Sequence, residues 1–191
     1  MARHNNNRGD RPQSEFQENV ISIDRVSRVV KGGRRFRFRA LVVVGNGKGK
    51  IGVGVAKGSD VQMSVQKAVD DAKKNLIEVP MTNASTIPHQ VQARQTGAKV
   101  LLIPAAPGTG LIAGGTIRSV VELSGIHNIL SKSLGSNNKI NVAYATIKAL
   151  QELAPQSEWV TTIKKPTKKT KSEEKPAKDK KTKKKVTAKK A

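Results

Sequence analysis

Between residues 20 and 58 the polar and apolar positions of the chain alternate in short runs, and the runs are separated by glycine. Val20–Val30 is rich in β-branched residues and predicts a strand. Lys31-Gly32-Gly33-Arg34 predicts a turn. From Arg35 to Val44 the first half alternates with the period of a half-buried strand: Phe36, Phe38, Ala40, Val42 and Val44 fall on one face, and Arg35, Arg37 and Arg39 on the other. Phe36 and Phe38 are therefore expected in the core. Gly45–Lys50 predicts a flexible hairpin loop, and Ile51, Val53 and Val55, alternating with Gly52, Gly54 and Ala56, a third strand.

The period then changes. Val61, Val65, Ala68, Val69, Ala72 and Leu76 form an apolar stripe at helical spacing. Ser59 and Gln62 have capping-box spacing, which makes Ser59 the expected N-cap, and Pro80 marks the end. Residues 14–80 thus read as a compact β-β-β-α unit. Residues 81–95 have no clear period and contain Pro88; they read as a connector with room for an edge strand.

Residues 96–157 read as a second small α/β unit with its own core. Lys99–Pro104 is a short strand, residues 105–110 a loop, Leu111–Ala113 a further strand and Gly114-Gly115 a hinge into a helix over Thr116–Ser124 that stops at Gly125. His127–Leu134 predicts a short helix closed by Gly135, and Asn141 the cap of a last helix, Val142–Leu153, ended by Pro155. The fold class is α+β.

Charge changes the picture most. Lys and Arg total 36 against 14 Asp and Glu, a formal net charge of +22. Half of it sits in the last stretch: Val160–Ala191 holds 14 Lys and 3 acidic residues. That stretch (158–191) and the Asn- and Arg-rich arm (1–13) are too poor in apolar residues to offset the entropy of ordering and are expected to be disordered. Self-repulsion on this scale points to a polyanionic partner. There is no Cys, which excludes disulfides and thiolate zinc sites. The first dozen residues are polar, and no apolar run approaches the ~20 residues that span a bilayer, so a soluble, cytoplasmic protein is expected.

Three cations on one strand face repel each other, which makes Arg35, Arg37 and Arg39, with Arg28, Lys31 and Arg34 close by, a candidate phosphate-binding surface. Arg25, Gly32, Gly33, Lys48, Lys50 and Lys57 complete the candidate RNA-binding set. Aromatic residues are only 3%, which favours recognition of RNA shape and backbone over base reading. Gly108, Thr109, Gly110, Gly114, Gly115 and Arg118 form a second candidate segment. Its glycines suit a phosphate site, a protein interface and a packing corner equally.

Catalytic signals are absent. Gly47-Lys48-Gly49-Lys50-Ile51-Gly52 matches the dinucleotide pattern, but its third glycine opens a strand instead of a helix, and no Ser or Thr follows Gly49-Lys50 as a Walker loop requires. His4, His89 and His127 have no ligand spacing, and no nucleophile elbow occurs. Neither a cofactor nor a metal is expected. Two alternatives stay open: a free double-stranded-RNA-binding or nucleoid protein, suggested by the β-β-β-α unit and the basic tail, and a nucleotide-using enzyme, suggested by the Gly-rich loops.

As a set, Val26–Arg34, Gly108–Arg118, Gly125-Ile126-His127-Asn128 and Gly135-Ser136-Asn137-Asn138 resemble the bacterial small-subunit ribosomal protein family S-five, over about Val20–Leu153. The resemblance implies a double-stranded-RNA-binding-like first domain and a second domain of the left-handed β-α-β type. It implies a non-enzymatic constituent of the ribosome that binds small-subunit ribosomal RNA, touches neighbouring proteins four and eight, lies where messenger RNA enters and influences decoding accuracy. It likens Val26–Arg34 to the loop near the spectinomycin site, and it tilts Gly108–Arg118 towards an interface with protein four.

Overall fold

In a computed structural model, residues 15–82 and 85–155 are described; the two terminal segments expected to be disordered lie outside them. The first unit is an antiparallel four-stranded sheet in the order β1 (Gln17–Val30), β2 (Gly33–Gly45), β3 (Lys50–Gly58) and β4 (Leu76–Glu78), with helix α1 (Val61–Lys74) between the last two strands. The short β4 adds an edge to the expected β-β-β-α unit.

Burial in β2 does not alternate as a half-buried strand would: residues 33–37 are exposed on both faces. From Ala40 to Val44 all five residues are buried, because the two faces are covered by different partners. Ala40, Val42 and Val44 pack with Ala68, Val69 and Ala72 of α1. Leu41 and Val43, with Ile51 and Val53 of β3, pack against the second unit. Gly52 and Gly54 let α1 lie directly on β3: a β-carbon at Gly54 would overlap the Ala68 carbonyl oxygen, and one at Gly52 that of Ala72.

The N-cap of α1 is Asp60, not Ser59, and its side chain makes no capping bond. The helix starts at Val61, one residue later than the capping-box spacing implies, and the Ser59 hydroxyl faces Met63 Sδ at 3.5 Å instead.

The second sheet has the order β5 (Val91–Gln95), β6 (Ala98–Pro104), β8 (Ile129–Gly135) and β7 (Leu111–Ile112). The edge strand allowed for in the connector is β5. Strands β7 and β8 are parallel and joined through helix α2 (Gly115–Ser124), a β-α-β unit. Helix α3 (Lys139–Gln151) packs behind β5 and β6.

Two expectations fail here. The stretch expected as a helix over His127–Leu134 is strand β8, whose residues pair in full register with β6. Such a short segment gains little from helical hydrogen bonds alone, and a waiting strand edge satisfies its backbone better. The cap of α3 is Asn138, not Asn141: Asn138 Oδ1 accepts from Ile140 N at 3.1 Å.

The second unit also lacks a separate core. One apolar cluster runs from Leu41, Val43 and Ile51 through Ile117, Val120, Val121 and Ile126 to Val142, Ala149 and Leu150. The back of the first sheet is thus a wall of the second unit's core. Among the described residues, no helix is long and apolar enough to cross a membrane.

Candidate nucleic-acid interface

The β1–β2 hairpin is longer than the sheet that carries it. β1 and β2 pair from Gln17↔Gly45 to Val30↔Gly33, but β3 pairs with β2 only as far as Phe38↔Gly58. Beyond Phe38 the hairpin is a two-stranded ribbon. Five residues of β2 lie in it, an extension of about 17 Å at ~3.4 Å per residue. A two-stranded ribbon is marginally stable alone; this one is braced at its base by the sheet. Lys31 and Gly32 make the turn, and Gly32 has φ +88, a conformation glycine adopts at no steric cost.

Register decides which cations share a face. Arg28 pairs with Arg35, Val26 with Arg37, Asp24 with Arg39, and Arg39 with Lys57. Arg28, Arg35, Arg37, Arg39 and Lys57 therefore stand on one side. Residues Val26, Ser27, Arg28, Arg35, Arg37 and Lys57 line a hollow of about 200 Å³ there. Arg28 directly opposite Arg35 is an unfavourable cross-strand pair without a counterion.

Arg39 differs from the others. Its Nη2 donates to Asp24 Oδ2 at 2.9 Å, and its Nε is buried without a hydrogen-bond partner. Among the described residues, Arg28, Arg35, Arg37 and Lys57 are in no ion pair with an acid. Lys31 and Arg34 are exposed at the tip, where a side chain on Gly32 or Gly33 would meet nothing within 4 Å.

Arg25 is on the opposite face, and Phe36 is there with it. Phe36 is 49% exposed, not in the core as its place in the alternation predicts, because α1 and β3 end before reaching it. The Arg25 guanidinium carbon lies 3.9 Å from the ring centroid.

The Gly45–Lys50 loop is not a free tip. Asn46 Oδ1 accepts from Lys48 N at 2.8 Å and Lys50 N at 3.0 Å. Gly47 N and Gly49 N donate to the carbonyls of Leu123 and Ser124 at 3.0 and 2.8 Å, so the loop supplies partners to the open C-terminus of α2. The Lys48 side chain remains exposed; Lys50 is 3.2 Å from Glu78, an exposed pair of little energetic weight.

In the second unit, Asn128 Oδ1 accepts from both Gly108 N at 3.1 Å and Gly110 N at 3.2 Å. Gly108 and Gly110 have φ +92 and +76, and Gly114 is the N-cap of α2. A β-carbon at Gly108, Gly110, Gly114 or Gly115 would meet nothing within 4 Å, so these glycines do not form a packing corner. Thr109 and Arg118 are exposed beside them. The hollow at the start of α2, about 150 Å³, is lined by Gly114, Gly115, Thr116, Ile117, Ser133, Asn137 and Val142. The sequence reading missed Asn46 and Asn128; an Asn beside a glycine-rich loop is the signal that could have found both.

Comparison with known proteins defines the class. Residues 16–80 match the family described as ribosomal protein S5, N-terminal domain, and residues 93–159 its C-terminal domain. The chain is 54% identical over 161 residues to the small ribosomal subunit protein uS5 of Acaryochloris marina, covering 83% of this chain and 91% of that protein. It is 57% identical over 139 residues to uS5 of Thermotoga neapolitana, covering 73% and 78%. These matches define a structural, non-enzymatic protein of the small ribosomal subunit, a component of the machinery of translation. The chain belongs to the uS5 family.

Proposed function

We propose that the protein docks on small-subunit ribosomal RNA through the ribbon face that carries Arg28, Arg35, Arg37 and Lys57, with Lys31, Gly32, Gly33 and Arg34 entering an RNA junction at the tip. The observation that carries this is the cross-strand Arg28–Arg35 pair and its neighbours, close like charges to which no acid is paired among the described residues. Such a cluster is unfavourable in the free protein and favourable against phosphates, where counterion release supplies the free energy. Arg39 contributes less, because Asp24 already holds it. Arg25, Lys48 and Lys50 lie off this face and serve as flanking contacts.

The division into 14–80 and 96–157 follows the same reading. The first domain grips RNA; the second presents Gly108, Thr109, Gly110, Gly114, Gly115 and Arg118 to a neighbouring ribosomal protein. The open space around those glycines supports a surface approached closely by another chain. Proteins four and eight are the neighbours in this reading, the position is where messenger RNA enters, and the consequence is support of decoding accuracy in the cytoplasmic ribosome. The Lys-rich segment 158–191 adds non-specific attraction.

The test is the salt dependence of binding to small-subunit particles assembled without this protein. Arg35→Ala with Arg37→Ala is expected to weaken binding and to lower the slope of log K against log salt by about 0.7–0.9 for each phosphate that is no longer neutralised. An unchanged slope removes this face from the interface.

A further inference from the structure

The ribbon's second face asks for a different ligand from the first. It carries Phe36 and Val29, exposed by 49% and 75%, and Ile23, 46% exposed, continues the same face at the ribbon's base opposite Ala40. Ser27 pairs with Phe36, Arg25 with Phe38, and Val29 with Arg34, so the apolar residues and two guanidinium groups share this face. Of the hairpin's two acids, Asp24 is turned to the other side with Arg39, and Glu18, at the far end of β1, is held by Lys73 at 2.9 Å. The chain has three Phe, and one is placed on a part of the hairpin that neither β3 nor α1 covers. Arg25 over the ring at 3.9 Å holds it in place and keeps a flat, cationic surface facing outward.

Charge and chemistry together select the occupant. A duplex backbone offers phosphates but nothing for an aromatic ring. An apolar protein surface would cover Phe36 and Val29 but leave Arg25 and Arg34 without counterions. An unpaired nucleotide brings both a π-face and a phosphate. We propose that Phe36 and Arg25 form a stacking platform for one unpaired base of the small-subunit ribosomal RNA, on the side of the ribbon opposite the phosphate-binding face. This rests on the reading that the hairpin docks on that RNA. The ribbon then sits between two RNA elements, its Arg28–Arg37 side against backbone and its Phe36 side against a base. Stacking of this kind reads no sequence, since every base has a π-face.

The full chain is tested for binding to small-subunit particles assembled without it, at several salt concentrations. Phe36→Leu is expected to weaken binding about tenfold, the scale of one base stack. Phe36→Tyr and Phe36→Trp are expected to bind as the unchanged protein does. The salt slope is expected to stay constant in all three, because no cation is removed. Ultraviolet irradiation of the assembled particle is expected to give a nucleotide adduct on the peptide that contains Phe36. Binding by Phe36→Leu equal to that of the unchanged protein would overturn the proposal, since shape and apolarity alone would then suffice. So would an adduct to a neighbouring protein's peptide, which assigns the face to a protein. Failure of the phosphate-face reading is seen separately, as a salt slope unmoved by Arg35→Ala with Arg37→Ala.

Discussion

The carbonyl oxygen of Gly47 stands where a β-carbon on Gly125 would be. The contact joins the β2–β3 loop of the first unit to the end of α2 in the second, and two backbone bonds, from Gly47 N to Leu123 O and from Gly49 N to Ser124 O, close it. Gly125 also has φ +89, which any other L-residue adopts only under strain. A helix end and a hairpin loop, each with backbone groups to satisfy, thereby satisfy each other.

Gly125→Ala is therefore expected to destabilise the fold by about 2–4 kcal/mol, from left-handed strain added to backbone overlap. Denaturant unfolding measures the effect. Hydrogen exchange locates it: protection of the Gly47 and Gly49 amides should fall more than that of the β6–β8 ladder. An equal fall everywhere would mean that the junction is no separate unit of stability.

Much of this was legible in the chain. The three long strands, α1 and the α2–Gly125 stop follow from period and punctuation, because each is set by local preference together with one buried face. The errors occur where a distant partner decides. β8 is a strand because β6 offers it an edge. Phe36 is exposed because the covering elements end at Phe38 and Gly58, and strand length beyond a sheet is not written in alternation. The five-residue apolar run Ala40–Val44 carried the missing information on the shared core: a strand buried on both faces needs a second layer, and α1 supplies only one. The cationic face was legible as a face. That Arg39 is held by Asp24 depends on the β1–β2 register, which a bulge between Val20 and Ser22 shifts by one residue.

That ion pair gives a prediction of its own. Both side chains are about a third or more exposed, 32% and 45%, so Asp24→Asn should cost under about 1 kcal/mol of stability. It should also free Arg39 for the proposed phosphate-binding face and tighten binding to particles that lack this protein, with a steeper salt dependence. Stability and binding moving in opposite directions is the signature; weakened binding would mean that Asp24 orients Arg39 for the contact proposed with RNA.

Asn128 holds the Gly108–Gly110 loop through one oxygen. Asn128→Ala is expected to cost about 1–2 kcal/mol and to raise exchange at the Gly108 and Gly110 amides, while Asn128→Asp, which keeps an acceptor at the same place, should preserve their protection. If the loop is the meeting surface for a neighbouring protein, the Ala variant should also assemble more slowly. Pulse-labelled assembly kinetics follow this directly.

Tyr144 tests the packing of α3 at high pH. Its phenol is held above the usual tyrosine value of 10.0, first by burial and second by the negative charge of Asp71. Both disfavour the phenolate in the folded state more than in the unfolded one. The contribution is fully present below the unfolded pKa, and as pH rises above about 10 and through the raised folded value, ionisation favours the unfolded chain. Stability should therefore fall in that range, and Tyr144→Phe should fall less steeply. The comparison of the two proteins isolates Tyr144 from the many lysines that titrate in the same window. Asp71→Asn should give an intermediate slope, since it removes the second cause and leaves the first; because Asp71 Oδ2 also accepts from Val55 N at 3.2 Å, that variant should be less stable at neutral pH as well. Parallel curves for the unchanged protein and Tyr144→Phe would show that the phenol is as well solvated in the fold as outside it.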